Sequence, residues 1–132
     1  MKRYIQPGLF VLNGDKGPHD LAAQFGIADP LAIEGPADGS ATTLWISEGS
    51  DDHELVMRGL TDWLREHQAD INAIHAKTRG IILKHFISRN HGSSYVMIPE
   101  ALSVVVAECG LRICVNNVTI WEDRPANRLL GD

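Results

Sequence analysis

Hydrophobic and polar positions change period several times along this chain, and each change marks an element. Leu9-Phe10-Val11-Leu12 is a short apolar run. Asn13-Gly14-Asp15-Lys16-Gly17-Pro18 closes it with turn residues, which predicts a strand ending there. Leu21 and Phe25 stand four apart, behind Pro18 and before Gly26, which predicts a short helix. Residues 27–41 carry Pro30, Gly35, Pro36 and Gly39 and hold at most a brief edge strand over 31–34. Residues 42–47 include Thr42, Thr43, Trp45 and Ile46 between two glycines and predict a strand, with Leu44 and Ile46 on one face and Trp45 on the other.

Asp51 then offers an N-cap with Glu54 three residues on, a capping-box spacing in which aspartate replaces Ser or Thr. Leu55, Val56, Leu60, Trp63 and Leu64 follow at helical spacing. Ile71 and Ile74 extend the stripe into a second helical piece over 70–78, which Gly80 is expected to stop. Residues 81–89 alternate, with Ile81, Leu83, His85 and Ile87 on one face. Pro99 opens a helix over 100–109, with Gly110 placed as its C′ residue. Residues 111–121 alternate again and predict a last strand, with a hairpin turning at Asn116-Asn117 as the alternative. The tail from about Asp123, with Pro125, reads as irregular.

This order predicts one α+β domain over residues 1–132, with a mixed, mostly antiparallel sheet of about four to five strands and helices on one face. The final strand–helix–strand unit should join parallel strands by a right-handed crossover. The 132 residues are 44% hydrophobic and 22% charged, ordinary for a soluble globular domain. No apolar run nears the roughly 20 residues of a membrane helix, and the basic start at Lys2 and Arg3 has no apolar stretch behind it. Cys109 and Cys114 lie in the most apolar part of the chain and read as reduced, buried thiols of a cytoplasmic protein.

Charge changes the picture most. Residues 17–57 hold eight carboxylates and no lysine or arginine. Residues 1–70 carry 12 acidic and 5 basic side chains, net −7, whereas residues 71–132 carry 5 and 7, net +2. Such a field favours a basic partner and repels nucleic acid. It would equally serve as a solvated surface that keeps a small protein soluble.

Candidate chemistry is sparse. His19, His53, His67, His75, His85 and His91 form no metal-ligand spacing, and a structural metal needs three or four converging ligands, so no metal or cofactor is expected. His53 beside Asp51, Asp52 and Glu54 could do acid–base work, but acidic residues in a first helical turn are accounted for by capping and the helix dipole. His91 with Ser93 or Ser94 lacks a nucleophile elbow. Asn13-Gly14-Asp15-Lys16-Gly17 lacks phosphate-loop spacing. Lys77, Arg79, Lys84 and Arg89 have no interleaved aromatics for a stacking platform. Trp45 and Trp63 read as partly buried core, and Trp121 as an anchor in an acidic rim if exposed.

Several local phrases resemble domain-of-unknown-function family 4279 of bacteria. They are Phe10-Val11-Leu12-Asn13-Gly14, Ala22-Ala23-Gln24-Phe25-Gly26-Ile27, Leu44-Trp45-Ile46-Ser47, and Ile98-Pro99-Glu100-Ala101-Leu102 running on through Glu108-Cys109-Gly110-Leu111. The likeness spans nearly the whole chain and departs at Ile98, where such proteins more often have Ser or Thr. It implies a compact cytoplasmic α+β domain and brings no established activity or catalytic residue.

The functional expectation is a non-catalytic acidic binding protein, in its sharper form an immunity-type inhibitor of a bacterial toxin. Its partner-binding residues would be Asp38, Glu48, Asp51, Asp52, Glu54 and Trp121, because complementary fields speed encounter and fix orientation. Asp38, Glu48 and Asp52 are the ones least tied to a cap. The rival is a small enzyme or ligand-binding domain with a pocket between sheet and helices that uses His85, His91 or the acidic loop.

Overall fold

The computed structural model describes residues 3–88 and 95–120. The expected tail from Asp123, together with Trp121, Arg89, His91, Ser93 and Ser94, lies outside the described residues. Five strands form one sheet in the order β2-β3-β1-β4-β5. They are β1 (Arg3–Gly14), β2 (Ile33–Glu34), β3 (Ala41–Trp45), β4 (Ala76–Ser88) and β5 (Arg112–Ile120). Every neighbouring pair is antiparallel except β4 and β5, which are parallel and joined through a helix. The helices are α1 (Pro18–Gln24), α2 (His53–Glu66), α3 (Gln68–Asn72) and α4 (Glu100–Glu108). No helix among the described residues is long and apolar enough to cross a membrane.

Alternation along β1 builds the core. Ile5, Leu9 and Val11 are buried beside Leu44 of β3 and Ile81 and Leu83 of β4. Leu21 and Ala22 of α1, Val56, Leu60 and Leu64 of α2, Ile71 of α3 and Leu102 and Val105 of α4 close the same cluster. All four helices therefore cover one face, and the other face carries Tyr4, Phe10, Trp45, Ile82, Lys84 and Phe86. There Tyr4 stacks on Phe86 at 4.8 Å, and Lys84 Nζ sits 5.6 Å from the Trp45 ring. Trp45 is buried as expected, but on this outer face and across Gly8 rather than in the helix-side core. Trp63 packs against the core and stacks on Phe25 at 5.4 Å.

β1 is longer than its apolar run and contains Pro7, which a central strand ordinarily excludes. Ile5 exchanges both backbone bonds with Ser50, and the Pro7 carbonyl accepts from Ile46 N at 3.0 Å. The missing Pro7 N–H thus falls on the side of Ile46, where β3 ends, and pairing on that side resumes at the Ile5–Ser50 bridge.

Three expectations are corrected. β4 begins at Ala76 rather than 81, the second helical piece stops at Asn72, and Gly80 lies inside a strand. Pairing of Thr78 with Leu12 and of Ala76 with Gly14 on the long β1 outweighs a weak helical pattern. The alternative hairpin at Asn116-Asn117 does not form, because β5 pairs with β4 without interruption from Arg112 to Ile120. Cys114 is exposed, whereas Cys109 is fully buried, and both are free thiols. β5 is an edge strand, so alternation along it does not enclose both faces.

Burial pushes the Cys109 thiol up, with Glu108 adding to the effect and Arg79 opposing it. The native protein is therefore expected to release one fast thiol, Cys114, to a thiol reagent and a second only in denaturant. Two fast native thiols, or none, would contradict this placement.

Among the sequence expectations, the C-terminus of α4 forms as read. Gly110 has φ +63°. Its N–H bonds the Ala107 carbonyl at 3.0 Å, and Leu111 N–H bonds Val106 at 3.0 Å. Those are the two bonds of a Schellman stop.

Candidate functional site

The acidic run separates into groups with different work. Asp29 Oδ1 accepts from Leu31 N at 2.9 Å, and Asp38 Oδ1 from Ser40 N at 2.9 Å. The Ser40 amide, then its hydroxyl, holds the Asp38 carboxyl below the usual carboxylate range. Glu34 accepts from Trp45 Nε1 at 2.8 Å, and Glu54 pairs with Arg58 at 2.8 Å. The N-cap of α2 is Asp52, not Asp51. Asp52 Oδ1 accepts from Leu55 N at 3.1 Å. The Ser50–Ile5 bridge fixes where the chain can leave β1, and that leaves Asp52, two residues after Ser50, at the helix entrance. Glu48 and Asp51 make no hydrogen bond or ion pair among the described residues, and both are exposed.

Glu48, Asp51, Asp52 and Glu54 are thus gathered at the β3–α2 turn. Asp38 is not with them. It sits before β3 and Glu48 after it, and the five residues of that strand span about 13 Å. Trp121 lies outside the described residues.

The turn is held rigidly. Ile5 N and Ser50 N each bond the other's carbonyl, at 3.0 and 3.1 Å, and Ser50 Oγ accepts from Asp52 N at 3.0 Å. Gly49 has φ +90°, and a Cβ there would stand 2.4 Å from the Ile5 carbonyl oxygen. Only glycine allows the turn to lie this close to β1. The two carboxylates without partners among the described residues therefore sit on a preorganised support.

Three clefts share residues of this turn. One, of about 420 Å³, runs between the turn after α1 and Trp45, with Glu48 and Asp29 on its wall. A second, of about 300 Å³, is formed by Tyr4 and residues 48–51. A third, of about 370 Å³, opens between the turn and α2 and is lined by Pro7, Ile46, Gly49, Leu55, Gly59 and Trp63 among others. The sequence did not point to these clefts, because each joins the turn to residues distant in the chain: β1 and the segment after α1 in the first, β1 in the second, β1 and α2 in the third. The one local signal was Gly59, a glycine inside an amphipathic helix.

The histidines read separately in the sequence are partly brought together. His85 is fully buried. Its Nδ1 lies 3.1 Å from Asn117 Oδ1, and its ring meets that of His53 edge-on at 5.6 Å. Among the described residues no group of three or more His, Cys, Asp or Glu is placed to hold a metal ion.

The basic residues scatter. Lys84 lies over Trp45 and Phe86 on the outer face. Lys77, Arg79 and Arg112 line a cleft of about 490 Å³ beside Gly110. Arg79 there donates to the carbonyls of Ile71 at 2.7 Å and Cys109 at 3.2 Å, so it caps helices rather than waiting for a ligand.

The chain matches no protein-family model, no curated protein and no solved structure.

Proposed function

We propose that this chain is a non-catalytic protein-binding domain that recognises a basic partner through the β3–α2 turn, in the manner of an immunity-type inhibitor of a bacterial toxin. The observation that carries the reading is the split within the acidic run. Asp29, Asp38 and Asp52 serve backbone amides, Glu34 and Glu54 serve side chains, and Asp20 lies in the first turn of α1. Glu48 and Asp51 serve nothing in the fold that is described, yet they sit on a turn pinned to β1 by the two Ile5–Ser50 backbone bonds. Two carboxylates with no partner among the described residues, on a rigid support and in a half of the chain with net charge −7, form a negative patch that steers a positive surface into place.

The test uses Glu48→Gln with Asp51→Asn. Asp52 is left intact, because removing an N-cap costs about 1 kcal/mol and would confuse folding with binding. The partner that co-purifies from native cells is identified, and its association rate is measured at low and high salt. The melting temperature should be unchanged, and association at low salt should slow by about tenfold, with the difference shrinking as salt rises. An unchanged rate, or a partner whose contact surface is acidic, would refute the proposal.

A further inference from the structure

We infer that the cleft between α2 and the β3–α2 turn is an anchor pocket for an apolar side chain carried on a basic segment of the protein partner. The inference rests on the acidic-turn reading above and adds what that reading lacks, a place for the partner to be held once it has been steered in.

Gly59 is the first observation. It lies near the middle of the 14-residue α2, with helical backbone. A Cβ built there would meet nothing within 4 Å. Packing therefore gives no reason for glycine, although glycine inside a helix costs about 1 kcal/mol relative to alanine. What the missing side chain does is leave the α2 side of the cleft open above the buried Val56 and Leu60.

The walls are the second observation. Leu55 and Trp63 stand one turn before and one turn after Gly59, and Pro7 and Ile46 face them across the cleft. Leu55 remains 55% exposed, a large apolar side chain left beside an open apolar floor.

The rim is the third. Glu48 and Asp51 do not line the cleft themselves but are exposed on the turn, next in sequence to its lining residues Ser47, Gly49 and Ser50. On α2, Asp62 is three residues from Gly59 and seven from Leu55, and Glu66 is seven from Gly59, so both flank the same side of the helix. Arg58 and Arg65 lie round the helix instead, in the groove with Pro99 and Ala101, and Arg58 is paired with Glu54. An apolar floor inside a rim of carboxylates fits a leucine, methionine or phenylalanine flanked by lysine or arginine. A buried apolar anchor supplies affinity, and the charged rim supplies rate and orientation.

The experiment titrates isotope-labelled protein, by amide spectra, with three short peptides. One alternates leucine and lysine at helical spacing, the second replaces leucine with serine at the same charge, and the third replaces lysine with glutamate. The leucine–lysine peptide is expected to shift the Gly49 and Gly59 amides and the Trp63 indole and to bind best. Gly59→Leu, which fills the floor, should weaken that peptide at least about tenfold, equivalent to about 1.4 kcal/mol, and leave the serine–lysine peptide unchanged. Its melting temperature should not fall, because leucine is the better helix former. Leu55→Ser, on the exposed wall, gives a second variant with the same expected direction should Gly59→Leu misfold. Equal binding of the leucine and serine peptides, or no effect of either variant, would overturn the anchor pocket. Loss of lysine-peptide binding in the Glu48→Gln, Asp51→Asn protein would in that case leave the acidic-turn reading standing. Equal binding of the leucine–glutamate peptide would overturn the basic character of the occupant.

Discussion

Replacing Arg79 with alanine is expected to lower the unfolding free energy by about 2–3 kcal/mol, on the scale of lost hydrogen bonds to a charged donor. The guanidinium is a clamp on two helices that are far apart in sequence. Nη1 donates to the Ile71 carbonyl at 2.7 Å and reaches that of Ile74 at 3.5 Å, and Nη2 donates to the Cys109 carbonyl at 3.2 Å. These carbonyls stand at the C-terminal ends of α3 and α4, where the last backbone acceptors lack the regular helical bond, although Ile71 O also accepts from Ile74 N at 3.1 Å. A fixed positive charge there also meets the negative ends of both helix dipoles. The neighbouring cleft can admit water to the freed carbonyls, which keeps the loss from growing larger. Arg79→Lys retains the charge but not the fork that reaches both helix ends, so it should recover about half of the loss. Urea denaturation of the three proteins checks this. A loss under about 1 kcal/mol for the alanine variant, the worth of an ordinary surface contact, would show that the carbonyls are satisfied without the clamp.

Arg79 also shows where sequence reading stops. As a residue in a run with Lys77, Lys84 and Arg89, it looked like part of a basic cluster. Its role depends on a strand start at Ala76 and on two helix ends brought beside that strand by the sheet. Elements set by local chemistry were legible. The Pro99 entry and Gly110 exit of α4, the alternation from Ile81 to Ile87 and the brief edge strand before Gly35 all follow from turn residues and period. Elements set by pairing were not. β1 extends back past Pro7 and forward to Gly14 because β4 runs opposite it for its whole length. Cys114 has an apolar neighbour on each side and still faces solvent, since nothing in a strand's own pattern says that it will be the edge. At the acidic turn, two adjacent aspartates both suit an N-cap, and the choice of Asp52 is made by a bridge to Ile5, some 45 residues away. The charge of the site was therefore visible along the chain, whereas its division into structural and unoccupied carboxylates, and the cleft beside it, depended on three elements meeting.

Gly80→Ala is expected to destabilise the fold by about 1–3 kcal/mol, the usual range for forcing a methyl group into a filled site. In the sequence Gly80 reads as a helix stop, but it lies inside a strand, where a larger side chain is ordinarily a gain. In the sheet it pairs with Phe10 on one side and Arg112 on the other. The Phe10 ring lies across it, so that an added Cβ would stand 2.5 Å from ring atoms Cε2 and Cζ and 2.8 Å from the Arg112 carbonyl oxygen. The two contacts differ in how they can relax. The ring is the end of a side chain on the open outer face and can swing away at the cost of its own packing. The carbonyl belongs to β5, and moving it disturbs the parallel pairing on which β5 depends as an edge strand. A double-mutant cycle separates the two. Phe10→Leu removes the ring atoms that collide, so Gly80→Ala should cost less in that background, with a coupling of about 1 kcal/mol. The remainder reports the backbone contact. Full additivity of the two substitutions would mean that the ring does not restrict the site and that the pressure comes from β5 alone. A Gly80→Ala protein as stable as the parent would remove the close approach of Phe10 altogether, and with it the account of why glycine stands in the middle of the longest strand.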